Sequence, residues 1–273
     1  MRKIKLIILM LIISVLLISF SGCQKRIKEG NTSKNIITIA GSTSVQPLAD
    51  ELAKSYMDKN PQVQIQVQGG GSSVGIKSAK DGIADIGTSS RELKADEKGL
   101  HQYEIAIDGI AIVVHPDNKI NNLTVSQIRD IYTGKITNWK ELGGNDAKIT
   151  VVTREEGSGT RGAFEELVMD KKPIIDSAVV QPATGSVKQT VSQDKNAIGY
   201  ISVGVLDNSI KVVSVENVMP TEENIKNKIY KIQRPFLFLT NKEPSGVVKD
   251  FIDFALSSEG QSIVEKHHYI KVK

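Results

Sequence analysis

Four short stretches combine hydroxyls with glycine: Gly41-Ser42-Thr43-Ser44, Gly69-Gly70-Gly71-Ser72-Ser73, Gly87-Thr88-Ser89-Ser90 and Gly157-Ser158-Gly159-Thr160. Hydroxyls donate hydrogen bonds without adding charge, and glycine lets a ligand approach the backbone closely. The chemistry such loops suit is holding a small oxyanion. Arginine sharpens the pattern. Of the seven in the chain, Arg91, Arg154 and Arg161 lie in or beside these loops, and a guanidinium makes forked hydrogen bonds to an oxyanion. Arg161 suits a solvated surface, whereas Arg154 leaves an apolar run directly into its loop. Taken singly, each loop is also what a helix N-cap and a turn require. Four of one kind in one chain favour a site.

Two catalytic motifs overlap the same loops. Gly157, Gly159 and Gly162 match the dinucleotide fingerprint, but Arg154-Glu155-Glu156 intervenes after the strand and no acidic residue is clearly placed about 20 positions on. Gly71-Ser72-Ser73-Val74-Gly75 matches a nucleophile elbow, for which His267 or His268 would have to serve as base. Nothing else marks those histidines. The four histidines and one cysteine show no metal-ligand spacing, so neither a metal nor another cofactor is expected.

The elements that must position these loops alternate. Apolar runs at Ile36–Ala40, Val63–Val67, Ile83–Ile86, Ile110–Val114, Ile149–Val152 and Ile198–Ser202 read as strands. Between them, Leu48, Leu52 and Tyr56 behind Pro47, Ile76–Lys80, and Phe164, Leu167 and Val168 read as helices, as do the segment after Gly185-Ser186 and Val247–Leu256. Thr124-Val125-Ser126-Gln127 forms a capping box ahead of another helix. The alternation predicts an α/β fold with largely parallel sheets. In such sheets ligands sit at the carboxyl ends of strands, where helix N-termini present unpaired N–H groups and partial positive charge.

The first 23 residues carry an address. Arg2, Lys3 and Lys5 precede an apolar run from Leu6 to Phe20, which ends at Ser21-Gly22-Cys23. Its length of about 15 residues is short for a bilayer span, which takes roughly 20, and fits a signal peptide over residues 1–22. Phe20-Ser21-Gly22-Cys23 is similar to a bacterial lipobox, with Phe20 where leucine is usual, and this implies acylation of Cys23. Residues 23–35 then form a polar tether. Removing the leader lowers the formal net charge from +4 to +1, too near neutral for a general nucleic-acid binder.

Beyond the tether, Ile39–Ser44, Gln68–Ser73, Ala84–Arg91 and Thr153–Arg161 together resemble the phosphate-binding proteins of the bacterial high-affinity phosphate ABC importers. Supporting stretches are Asp108–Ala111, Ile131–Trp139 and Ala197–Tyr200. The resemblance runs from about Ile36 to the C-terminus in the family's order. It implies a two-lobed periplasmic-binding-protein fold of type II, each lobe a mixed sheet flanked by helices. Lobe 1 would hold residues 36–112 and 232–273, and lobe 2 residues 113–231, with hinge crossings near Val113 and Lys231.

It further implies a binding protein rather than an enzyme, one that captures inorganic phosphate between the lobes. Expected partners are an ABC permease and its ATPase, for a monomer lipid-anchored on the extracytoplasmic face of the cell membrane. Carried over by position, the ligand set is Ser42, Thr43, Ser44, Ser72, Ser90, Asp108, Arg154, Glu156, Ser158, Gly159 and Thr160. Glu156 would hold Arg154 in place. Ser90 stands where some members have an aspartate that accepts a hydrogen bond from a protonated phosphate oxygen and so excludes sulfate. Asp108 either supplies that missing acceptor or is a turn residue. The alternatives to phosphate capture are another tetrahedral oxyanion such as sulfate or molybdate, a serine hydrolase or phosphatase, and a surface protein that has lost transport.

Overall fold

The computed structural model describes residues 35–273; the leader, Cys23 and the tether as far as residue 34 lie outside the described residues, and Asn35, expected to end the tether, opens the first strand. In chain order the elements are β1 (Asn35–Gly41), α1 (Gln46–Lys59), β2 (Val63–Gly69), α2 (Ser72–Lys80), β3 (Ile86–Ser89), β4 (His101–Val114), β5 (Asn122–Leu123), α3 (Val125–Tyr132) and β6 (Thr150–Arg154). There follow α4 (Gly159–Leu167), β7 (Val179–Gln181), α5 (Thr184–Gln193), β8 (Ala197–Ser202), β9 (Lys211–Val215), α6 (Glu222–Lys226), β10 (Gln233–Thr240), α7 (Gly246–Ala255) and α8 (Ser258–Lys266). Local sequence accounts for much of this. Pro47 sits in the first turn of α1, which buries Leu48, Leu52 and Tyr56 at helical spacing. The capping box at Thr124 forms, with Gln127 N–H donating to Thr124 Oγ1 and Thr124 N–H donating to Gln127 Oε1.

The strands run β2-β1-β3-β10-β4-β8-β6-β7, with β9 also pairing β4 and β5 pairing β9. Pairs β1–β2, β1–β3, β6–β7 and β6–β8 are parallel, whereas β10 and β4 make antiparallel pairs. The sheet is therefore mixed, with its parallel portions at the two ends. β4 is the link: up to Gly109 it pairs with β10, and from Ile110 onward with β8 and β9. The chain returns beside it, where Ile110 N–H donates to Ile232 O at 2.8 Å and Gln233 opens β10 opposite Gly109. The partner change thus falls at Gly109–Ile110, slightly before Val113, and at Ile232–Gln233, next to Lys231.

Two apolar cores flank this link. One gathers Ile37, Leu48, Ile86, Phe236, Phe238 and Phe251; the other gathers Ile112, Tyr132, Trp139, Phe164, Tyr200 and Ile232. Helix α2 lies directly on the strands of the first core. A Cβ at Gly75 would come within 2.4 Å of Thr88 O and 2.7 Å of Ala40 O, so only glycine permits that approach. This seats the start of α2 beside the ends of β1 and β3.

Candidate anion-binding site

The carboxyl ends of β1, β2, β3, β6 and β7 all open toward one region, and the N-termini of α1, α2, α4 and α5 face it. Ser42 organises the first loop. Its N–H donates to Thr88 Oγ1 at 2.8 Å, and its Oγ accepts from Ser44 N–H and Val45 N–H, closing the turn ahead of α1. Ser42 Oγ in turn donates to Ser90 Oγ at 2.8 Å. Ser72 is the first residue of α2, entered through Gly71 at φ +91°, and its Oγ accepts from Ser90 N–H at 3.0 Å.

The opposite half brings Arg154, at the end of β6 and 1% exposed. Its Nη2 donates to Thr43 Oγ1 at 3.1 Å, across the two cores, and its Nη1 donates to Thr184 Oγ1 at 3.0 Å. Ser158 caps α4, accepting from Arg161 N–H. Thr160 Oγ1 and Thr184 Oγ1 each lie 2.8 Å from Ser44 Oγ. Ser73 N–H donates to Gly157 O at 3.0 Å. Gly159 sits so close to the facing half that a Cβ there would lie 2.1 Å from Ser72 Oγ and 2.6 Å from Ser90 Oγ. Beneath the site, Tyr200 stacks on Phe164 with ring centroids 4.1 Å apart and accepts Arg154 N–H. Burial pushes its hydroxyl up to about 12, so it stays protonated and neutral at physiological pH.

Thr43, Ser44, Ser72, Ser90, Arg154, Ser158, Gly159 and Thr160 are brought together. Ser42 acts one step back, as the pin of the loop. Two expectations are corrected. The carboxylate on Arg154 is Glu155, whose two oxygens accept from Nε and Nη2 at 2.9 Å each; Glu156 is exposed. Glu155 directly follows the strand and still faces its neighbour's guanidinium, whereas the turn closed by Ser158 N–H on Glu155 O carries Glu156 outward. Nor is Asp108 a free acceptor. Its Oδ2 takes Arg234 Nε and Nη2 at 3.0 and 2.8 Å, and its Oδ1 takes Ser202 Oγ and Val203 N–H. Four donors use the lone pairs of a carboxylate. Burial raises its pKa, opposed by Arg234 and the other donors.

Thr184 and Arg234 were missed by sequence reasoning. Thr184-Gly185-Ser186 repeats the hydroxyl–glycine grammar at a helix start, and Arg234 is a lone charge heading the apolar run Pro235–Leu239. Those were the available signals. Arg234 Nη1 donates to Ser90 O at 3.1 Å and Ser90 Oγ at 3.3 Å.

Arg91 and Arg161, the other two arginines beside the loops, serve structure. Arg161 pairs with Glu165 and donates to Arg154 O. Arg91 grips Glu97 with Nη1 and Nη2 at 2.6 and 2.7 Å, which holds that carboxyl below its ordinary range. A carboxylate depressed in this way stabilises the fold above its unfolded pKa and loses that stability as pH falls through its folded value. Glu97→Gln should therefore cost about 1–3 kcal/mol at pH 7, and the two proteins should converge as pH falls below about 4. Urea melts at both pH values check this; an equal gap at low pH would contradict it.

Neither catalytic motif assembles. Ser73 Oγ has Arg91 Nη2 at 3.4 Å, while His268 bonds Glu222. Gly159 instead lets the halves approach, and a Cβ built at Gly162 would lie 2.9 Å from Arg91 Cδ. Among the described residues no cluster of His, Cys, Asp and Glu could hold a metal. What the arrangement can do is hold an oxyanion: four helix N-termini, hydroxyl protons from both halves and one guanidinium converge.

Two α/β halves joined by a doubled strand crossing, with donors from each facing one point, define a solute-binding protein, and a family model described as the PBP superfamily domain matches residues 28–259. The chain is 32% identical to "Phosphate-binding protein PstS" of Bacillus subtilis (strain 168), over 100% of this chain and 95% of that one. A crystal structure of a putative phosphate ABC transporter substrate-binding protein with bound phosphate from Clostridium perfringens is 49% identical, with a TM-score of 0.84 over 88% of this chain and 100% of that one. An ABC-type phosphate transport receptor from Vibrio cholerae is 41% identical, with a TM-score of 0.73 over 86% and 99% of the two chains. Within the PBP superfamily, the chain belongs to the family of phosphate-binding proteins.

Proposed function

We propose that this protein captures inorganic phosphate outside the cytoplasm, between the two halves, and hands it to an ABC permease without chemical change. The observation that carries this is the meeting of Thr43, Ser44 and Ser72 from one half with Arg154, Thr160 and Thr184 from the other, at the N-termini of four helices. Such donors satisfy all oxygens of a tetrahedral anion only when the halves are together, so the anion biases a hinge equilibrium toward closure. The hinge lies at Gly109–Ile110 and Ile232–Gln233. Lobe 1 comprises the residues N-terminal to the first crossing and C-terminal to the second, and lobe 2 those between, close to the division 36–112 plus 232–273 and 113–231. Closure excludes water, which strengthens each charge-assisted bond. The hydroxyls that bond one another turn their protons onto the ligand.

Calorimetry of the purified protein against phosphate tests this. Saturable one-to-one binding is expected, and no heat with phosphate would refute it. The permease, driven by a cytoplasmic ATPase, recognises the closed monomer.

Cys23, acylated after removal of residues 1–22, anchors the protein to the membrane through residues 23–34, which raises its effective concentration at the permease. Cys23→Ser should move the protein from the membrane fraction to the medium or periplasm with phosphate binding unchanged. Retention in the membrane fraction would reject the anchor.

A further inference from the structure

We propose that Asp108 is a clasp across the hinge that sets phosphate affinity from outside the site: one of its oxygens is fixed within lobe 1, and the other holds lobe 2 in the closed arrangement. This rests on the reading of the chain as a hinged phosphate-capture protein, and it names the residues that weight closure.

Asp108 and Arg234 stand opposite each other on β4 and β10. Asp108 directly precedes the Gly109–Ile110 crossing and Arg234 directly follows the Ile232–Gln233 crossing, so the pair sits on the lobe 1 side of both. Oδ2 of Asp108 takes Arg234 Nε and Nη2 at 3.0 and 2.8 Å. Oδ1 takes Ser202 Oγ at 2.8 Å and Val203 N–H at 3.2 Å. The first two donors belong to lobe 1 and the second two to lobe 2. All four donate and none accepts, so Asp108 is held as a carboxylate. Bonds to a charged acceptor are about twice as strong as neutral ones, and Asp108, Ser202 and Arg234 are all buried.

The same arginine reaches the site. Its Nη1 donates to Ser90 O and Ser90 Oγ, and Ser90 Oγ lies 2.8 Å from Ser42 Oγ. The clasp is thus tied to the lobe 1 loops that face the anion, while Asp108 itself bonds no hydroxyl of the cage.

Lobe 2 is seated closely against this crossing. A Cβ at Gly109 would lie 2.5 Å from Ile225 Cδ1 and 3.0 Å from Val203 Cγ1. A Cβ at Gly204 would lie 2.1 Å from Cζ of Tyr269, a lobe 1 residue whose hydroxyl is 3.5 Å from Ser202 Oγ. The Ser202–Gly204 turn therefore fits between β4 and Tyr269 with no room to spare.

When the halves swing apart, Ser202 and Val203 move with lobe 2, whereas Asp108 and Arg234 stay together. A contact beyond about 3.5 Å is no longer a hydrogen bond, so the two Oδ1 bonds are lost while the two Oδ2 bonds survive. Bonds made only in the closed form raise its population, and apparent affinity scales with the binding-competent fraction. They add nothing to the folding of the open form.

Ser202→Ala removes the lobe 2 hydroxyl with little change of volume, and calorimetry, stopped-flow phosphate release and thermal melts of the full chain read its effect. Phosphate affinity should fall about tenfold, through faster release at an unchanged association rate, with the phosphate-free melting midpoint kept. Unchanged affinity overturns the proposal. So does an affinity loss accompanied by a fall of about 2–4 °C in the phosphate-free midpoint, because the bond then belongs to the open form as well. Asp108→Asn keeps the shape and loses the charge that both lobes grip. It should release phosphate faster still; release no faster than wild type overturns the clasp, and Ser202→Ala carries the test if this variant does not fold. A wild-type protein that binds no phosphate removes the underlying reading, and the clasp with it.

Discussion

Arg154→Ala should weaken phosphate binding by about a hundredfold or more while leaving the protein folded. Arg154 carries the guanidinium that reaches across to Thr43 and also holds Thr184. Truncating one partner of a buried, hydrogen-bonded charge pair costs about 2–5 kcal/mol, and every 1.4 kcal/mol is about tenfold in affinity. Stability should suffer less, because the carboxylate left behind, Glu155, is 30% exposed at its side chain and regains water. Arg154→Lys should recover only part of the loss. An ammonium is a point charge and cannot bond Glu155, Thr43 and Thr184 in one plane. Calorimetry gives the affinities and a thermal melt gives the stability. An Arg154→Ala affinity within about threefold of wild type would remove the guanidinium from the site.

Gly159→Ala should be nearly as damaging, for a steric reason. Gly159 opens α4 with no positive φ to relieve, so alanine suits the helix itself. The conflict lies across the cleft, where the added carbon would meet Ser72 Oγ at 2.1 Å and Ser90 Oγ at 2.6 Å. Both serines are buried and held by short side chains, so the halves must stay apart. Overpacking of this kind costs about 1–3 kcal/mol, which predicts phosphate binding weakened by about ten- to a hundredfold and a larger scattering radius with phosphate than in wild type. Gly162→Ala is the control. Its new carbon meets one side chain, Arg91 Cδ at 2.9 Å, rather than two buried hydroxyls within 2.6 Å. Equal losses in the two variants would show that the effect is not closure.

The hydroxyl–glycine loops, Arg154 as the site's guanidinium, the capping box at Thr124 and the strand–helix alternation were legible from sequence because each is set by neighbours a few residues away. Turn chemistry, N-caps and helical spacing are local. Belonging to the phosphate-binding proteins was legible as well, since the loop motifs recur in order along the chain. The 14-residue strand His101–Val114 was only half visible. Its second half is buried on both faces and apolar throughout, while its first half mixes polar and apolar residues along a partly exposed face.

Tertiary structure alone decided the partners of charged side chains. Asp108 lies 126 positions from Arg234, and they meet because β4 and β10 run antiparallel with Asp108 opposite Arg234. Whether Glu155 or Glu156 faces Arg154 turns on the direction in which one bend leaves the strand. Composition and spacing determined that the chain offers protons to an anion. Which lone pairs remain free to accept one depends on long-range pairing, because a hydroxyl or carboxylate is satisfied by whatever donor the folded chain sets beside it.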